Sequence, residues 1–153
     1  MKYEIVELEE KIVEGIAIKT TNQDGKSIQD IGKTWQELFT NGIYEKIGNK
    51  VNNKTIGLYT DYEADYTKPY IFIAGVEVSK KTDNKLITNK IIEKGKYAKF
   101  VITGDVQNSV GQAWQEIWNM NLKRKYTCDF EEYQNNSEDM QNQEIHIFIA
   151  LED

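Results

Sequence analysis

The chain has 153 residues, enough for one domain of ordinary size or one built from two small halves. Its 25 Asp and Glu exceed its 19 Lys and Arg, and the net charge of −6 argues against the basic face that a nucleic-acid partner requires. One cysteine (Cys128) and one histidine (His146) leave no internal disulfide, thiolate zinc site or His-pair metal site, and a mean hydropathy of −0.64 without a long apolar run leaves no membrane span.

In chain order, Tyr3 to Leu8 and Ile12 to Lys19 alternate as strands do, after a start that lacks the apolar stretch of a signal peptide, so a cytoplasmic placement is expected. Ile28, Ile31, Trp35 and Leu38 then step at three to four residues, the spacing of a helix, with Ser27 and Asp30 as a candidate capping pair. The polar run Asn49 to Asn53 reads as a loop. Ile56 to Tyr62 and Tyr70 to Val78 are strands rich in β-branched and aromatic residues. After a second polar loop, Lys80 to Lys85, the order recurs. Strands at Leu86 to Glu93 and Tyr97 to Thr103 lead to a helix through Val106, Val110, Ala113 or Trp114, and Ile117, with Ser109 and Gln112 as its capping pair. Tyr126 to Tyr133, a loop at Asn135 to Gln143, and Glu144 to Leu151 complete the chain.

The recurrence extends to residues. Trp35-Gln36-Glu37-Leu38-Phe39 returns as Trp114-Gln115-Glu116-Ile117-Trp118, and Ile71-Phe72-Ile73-Ala74 as Ile147-Phe148-Ile149-Ala150. Between these anchors, Leu58 to Tyr62 aligns with Asp129 to Tyr133. The expected fold is therefore α+β: duplicated βαββ units related by a pseudo-twofold, an antiparallel sheet with two helices, and a central ligand groove. Residues 1–153 form one domain in this reading, with a first repeat at about 1–80 and a second at about 85–153.

Where the repeats diverge, a site can have been built. At the repeat position equivalent to Thr60 the second half carries Glu131, which period-two alternation places on one face with Asp129 and Tyr133. Leu58, Thr60 and Tyr62 would form the matching face, and Tyr70 and Phe72 would correspond to His146 and Phe148. A groove holding Glu131 and His146 among Tyr62, Tyr70, Tyr133, Phe148, Trp35 and Trp114 suits a flat organic cation, since a carboxylate answers its charge and ring faces stack on it. The plainer alternative keeps Glu131 solvated, His146 a satisfied strand residue and both tryptophans in the core.

These residues resemble the gyrase-inhibitor-like effector-binding domains, which also form the drug-sensing half of AraC- and MerR-type transcription regulators. The resemblance covers nearly the whole chain: Gly57 to Asp65, Trp114 and Trp118, the Phe-Glu-x-Tyr pattern Phe130 to Tyr133, and Glu144 to Ile147. Tyr59 to Asp65 followed by Ile73 to Val78 is most similar to the stand-alone branch from integron gene cassettes. The resemblance implies binding of amphipathic, often cationic, small molecules, with Glu131 as the acidic pocket residue and His146 where an aromatic is usual. No cofactor or metal is implied, and no DNA-binding domain is expected, since Met1 leads almost directly into the first strand. Two other functions stay open: hydrolysis of strained cyclopropanoid compounds with Glu131 as general base, and inhibition of a protein target.

Overall fold

The computed structural model describes residues 1–153. Eight strands form one antiparallel sheet: β1 (Glu4–Leu8), β2 (Lys11–Thr20), β3 (Thr55–Thr60), β4 (Tyr70–Val78), β5 (Thr88–Ile92), β6 (Gly95–Gly104), β7 (Arg124–Tyr133) and β8 (Gln143–Leu151). The helices are α1 (Lys26–Thr40), a single turn α2 (Ile43–Lys46), and α3 (Val106–Trp118). The strands, the two long helices and the polar loops lie where the sequence pattern puts them. The short α2 carries no periodic signal of its own.

Neither predicted capping pair forms. Helix α1 starts from Gly25 in the left-handed region without a side-chain cap, and Asp30 instead accepts hydrogen bonds from Thr20 and Lys26. Helix α3 is capped by Asp105, whose carboxylate accepts the Asn108 N–H at 3.2 Å.

The strand order is β1-β6-β8-β7-β3-β4-β2-β5. Each half thus gives its first strand to the other: β1 pairs with β6, and β5 pairs with β2. Only Glu9 and Glu10 separate β1 from β2, although β1 is an edge strand and β2 lies next to the opposite edge. Three peptide steps reach at most about 10 Å, so the sheet curls until its ends approach each other. The curled face encloses Val13, Ile92, Tyr97, Phe130 and Phe148, drawn from five strands. The other face carries the helices, with Leu38 of α1 over Phe72 and Ala74, and Ile117 of α3 over Ile147 and Ile149.

Both faces are therefore buried, and β3 and β4 are covered along nearly their whole length. The two repeats join through β3 and β7, where Gly57 faces Glu131 and Leu58 faces Phe130 across the ladder. Above this seam, on the helical face, the sheet is left open between α1 and α3.

Candidate functional site

Helix α1 buries less of its apolar stripe than its periodicity suggests. Leu38 is fully covered, but Ile31 and Trp35 are partly exposed and Ile28 is 77% exposed. Ile28, Ile31 and Trp35 line a cavity of about 720 Å³ together with Val110 and Trp114 of α3. Its floor is the seam: Tyr59 from β3, Tyr70 from β4, and Glu131 and Tyr133 from β7. Tyr62, Tyr66 and Trp118 close one end, the last two stacked at 5.4 Å and 9°. A volume of this size accommodates a drug-sized molecule.

Glu131 is 1% exposed in this apolar setting. Its Oε2 accepts hydrogen bonds from Trp114 Nε1 at 2.6 Å and from the Tyr59 hydroxyl at 2.7 Å, and its Oε1 accepts the Tyr133 hydroxyl at 2.7 Å. All three donors are neutral. Burial pushes the Glu131 carboxyl above the ordinary carboxylate range, and the bonds from Trp114, Tyr59 and Tyr133 pull it partly back. Burial and the neighbouring Glu131 charge hold the Tyr59 and Tyr133 phenols well above their usual range, so both stay protonated as donors. The rings brace one another: Tyr59 packs on Trp114 at 5.0 Å, and Trp35 meets Tyr133 edge-on at 5.5 Å.

Gly57 creates the room for this arrangement. A Cβ there would sit 2.9 Å from Glu131 Oε1 and 3.1 Å from the Phe72 ring, so any side chain on the cross-strand partner of Glu131 would push the carboxylate out of this position.

A second acid shares this strand face. Asp129 is fully buried and completely answered: Oδ2 accepts Arg124 Nη2 at 2.7 Å and the Tyr62 hydroxyl at 2.5 Å, and Oδ1 accepts the Ala150 N–H at 2.9 Å. Burial, followed by the charge of Asp129, raises the Tyr62 hydroxyl well above its usual range. Tyr70 donates to Asn22 Oδ1 at 2.6 Å, and burial raises its phenol to about 12.

Of the eight residues singled out in the sequence, Glu131, Tyr133, Tyr62, Tyr70, Trp35 and Trp114 line this cavity. His146 and Phe148 do not. They point to the curled face, where Phe148 stacks on Phe130 at 4.6 Å and His146 Nε2 lies 2.6 Å from Glu144 Oε2. The cause is a slip of one residue in the repeat. Aligning Phe72 with Phe148 pairs a residue beneath α1 with one on the reverse of the sheet, and a shift of one inverts every side chain. The same slip matched Thr60 to Glu131. Thr60 shares the curled side with Leu58 whereas Glu131 lies on the helical side, and Tyr59 is the residue of β3 that reaches Glu131. Sequence reading missed Tyr59, Tyr66, Trp118 and Arg124. Tyr59 and Trp118 fall within the motifs quoted above and could have been found there, whereas nothing in the pattern marks Arg124.

A family model described as integron-associated effector binding protein matches residues 4–151. An integron cassette protein of Vibrio cholerae is 28% identical and superimposes with a TM-score of 0.74 over 98% of this chain and 95% of its own. YobU of Bacillus subtilis, whose name assigns it provisionally to transcriptional regulation, is 26% identical over 155 residues, 96% of each chain. The protein SAV2435, solved bound to tetraphenylphosphonium, shares the fold at 21% identity, with a TM-score of 0.81 over 99% of this chain and 94% of its own.

Proposed function

The chain belongs to the integron-associated effector binding protein family, and on that premise we propose that it binds small organic cations with an aromatic or apolar body in the cavity between α1 and α3. The observation that carries this reading is Glu131: a buried carboxylate in a ring-lined hollow, held by three neutral donors and by no cation. An ionised group in such surroundings is costly unless a positive charge answers it. The three hydrogen bonds lower that cost in the free protein, and an entering cation removes more of it.

The ligand passes Ile28 and Val110, its apolar body displaces water from the tryptophan and tyrosine rings, and its charge comes to rest near Glu131. Cation–π contacts contribute about 1–2 kcal/mol, and apolar burial supplies most of the roughly 8 kcal/mol that micromolar affinity requires. Occupancy of this cavity is then the signal or the sequestration event that the protein provides. Glu131 is less suited to act as a general base, because three hydrogen bonds already occupy most of its acceptor capacity.

Titration calorimetry with tetraphenylphosphonium tests the reading. Wild-type protein binds it, and Glu131→Gln weakens binding by about 30-fold or more, the effect of removing one partner of a buried charge pair. Equal affinity in the two proteins overturns the counter-charge role.

A further inference from the structure

Arg124 is the other charged residue on the cavity wall, and its guanidinium is only partly used. Its side chain is 5% exposed, yet only Nη2 has an acceptor, Asp129 at 2.7 Å. Nε and Nη1, which carry three N–H bonds between them, are buried without a partner. Buried donors are nearly always satisfied, so a group left this way on the wall of a ligand cavity calls for an acceptor. Asp129 does not supply it, since Nη2 is the one guanidinium nitrogen within hydrogen-bond distance of its oxygens.

The backbone is shaped to put the guanidinium there. The pairing of β7 with β8 is interrupted between Arg124 and Asp129, and within this irregularity Tyr126 has φ +58°, a left-handed conformation that a bulky aromatic residue adopts only at a cost. The distortion brings the Tyr126 ring to 4.4 Å from the guanidinium carbon, while the cavity residues Trp114 and Tyr66 lie at 5.9 and 6.0 Å. Three aromatic rings thus surround the guanidinium at cation–π distance, and a ring face is no substitute for the oxygen acceptor that its free N–H groups lack.

We propose that Arg124 is an anion-accepting pole of the cavity, so that the preferred ligands are two-ended: a cationic aromatic or apolar group at Glu131 joined to a carboxylate that takes the free N–H groups of Arg124. This deepens the cation-binding reading above and rests on it. Such ligands answer the Glu131 charge and give the unpartnered N–H groups of Arg124 an acceptor, and they set this cavity apart from one selecting for positive charge alone.

The test uses the full chain and matched probes, triphenylphosphonium salts bearing an ω-carboxyalkyl chain of three to six carbons and the methyl ester of each. At one or more chain lengths the free acid binds wild-type protein about ten-fold more tightly than its ester, and that ratio falls below two-fold in Arg124→Gln. Because Arg124→Gln leaves Asp129 buried without a cation, the double variant Arg124→Gln/Asp129→Asn is measured as well, and the same loss of preference is expected. Esters that bind with no preference for the acid at any chain length, or a preference that survives both substitutions, overturn the Arg124 pole alone. Failure of acids and esters alike to bind wild-type protein overturns the cation reading together with it.

Discussion

Two acids of β7, Glu131 and Asp129, stand two residues apart on the same sheet face, are equally buried, and are treated in opposite ways. Asp129 has a guanidinium, a phenol and a backbone N–H, which together make it a fixed part of the fold. Glu131 has three neutral donors and a cavity in front of it. A buried charge neutralised within the protein holds structure together, whereas one left without a cation is available to a ligand.

The sharpest way to break this contrast is Asp129→Ala. It strands Arg124 in the interior and costs about 3–5 kcal/mol, a fall of roughly 10 °C in melting temperature that thermal denaturation would register. Glu131→Gln moves stability the other way. If Glu131 serves a ligand as proposed, removing its buried charge raises the stability of the free protein at neutral pH by about 1 kcal/mol, seen in urea unfolding, while cation binding weakens.

The pH dependence of Glu131 separates the two effects. Its carboxyl lies higher in the folded protein than in the unfolded chain, mainly because of burial. Its contribution to stability is therefore full below the ordinary carboxylate range and is lost as pH rises through the elevated value. Cation affinity follows the reverse course, growing as pH rises through that same value. Across the acidic range the stability difference between wild type and Glu131→Gln should shrink or reverse as pH rises, while cation affinity of the wild type grows and that of Glu131→Gln stays flat. Asp30, Asp65 and Asp139, whose carboxyls are held below the ordinary range by hydrogen bonds, contribute equally to both proteins and cancel in the difference.

Smaller effects sharpen the boundary of the site. Gly57→Ala pushes a methyl group against the Glu131 carboxylate and lowers affinity for tetraphenylphosphonium by about three- to ten-fold, measurable by calorimetry. His146→Ala changes that affinity by less than about two-fold, since the imidazole lies on the far face beside Glu144. A large loss there would mean that the curled face also contributes to binding.

Much of the fold is legible in the residues. The Trp-Gln-Glu repeat locates both long helices, turn-forming runs bound the strands, and Glu131 and Tyr133 share a face because they stand two apart. What stayed hidden has one origin. Alternation tells which residues lie together on a strand, but it identifies the helix-facing side only when the other side is wet. Here the curl of the sheet dries both, so Phe72 and Phe148 look equivalent in sequence while lying on opposite faces.

The sequence by itself determined the element order, the duplication and the acid that the second half adds, because these depend on local periodicity and on residue identity. Tertiary structure alone decided the exchange of β1 and β5 between halves, the choice of Tyr59 over Thr60 at the seam, and the arrival of Arg124 beside the cavity. Those outcomes follow from how the sheet ends meet and where β7 is distorted, and closure over such distances leaves no trace in the spacing of neighbouring residues.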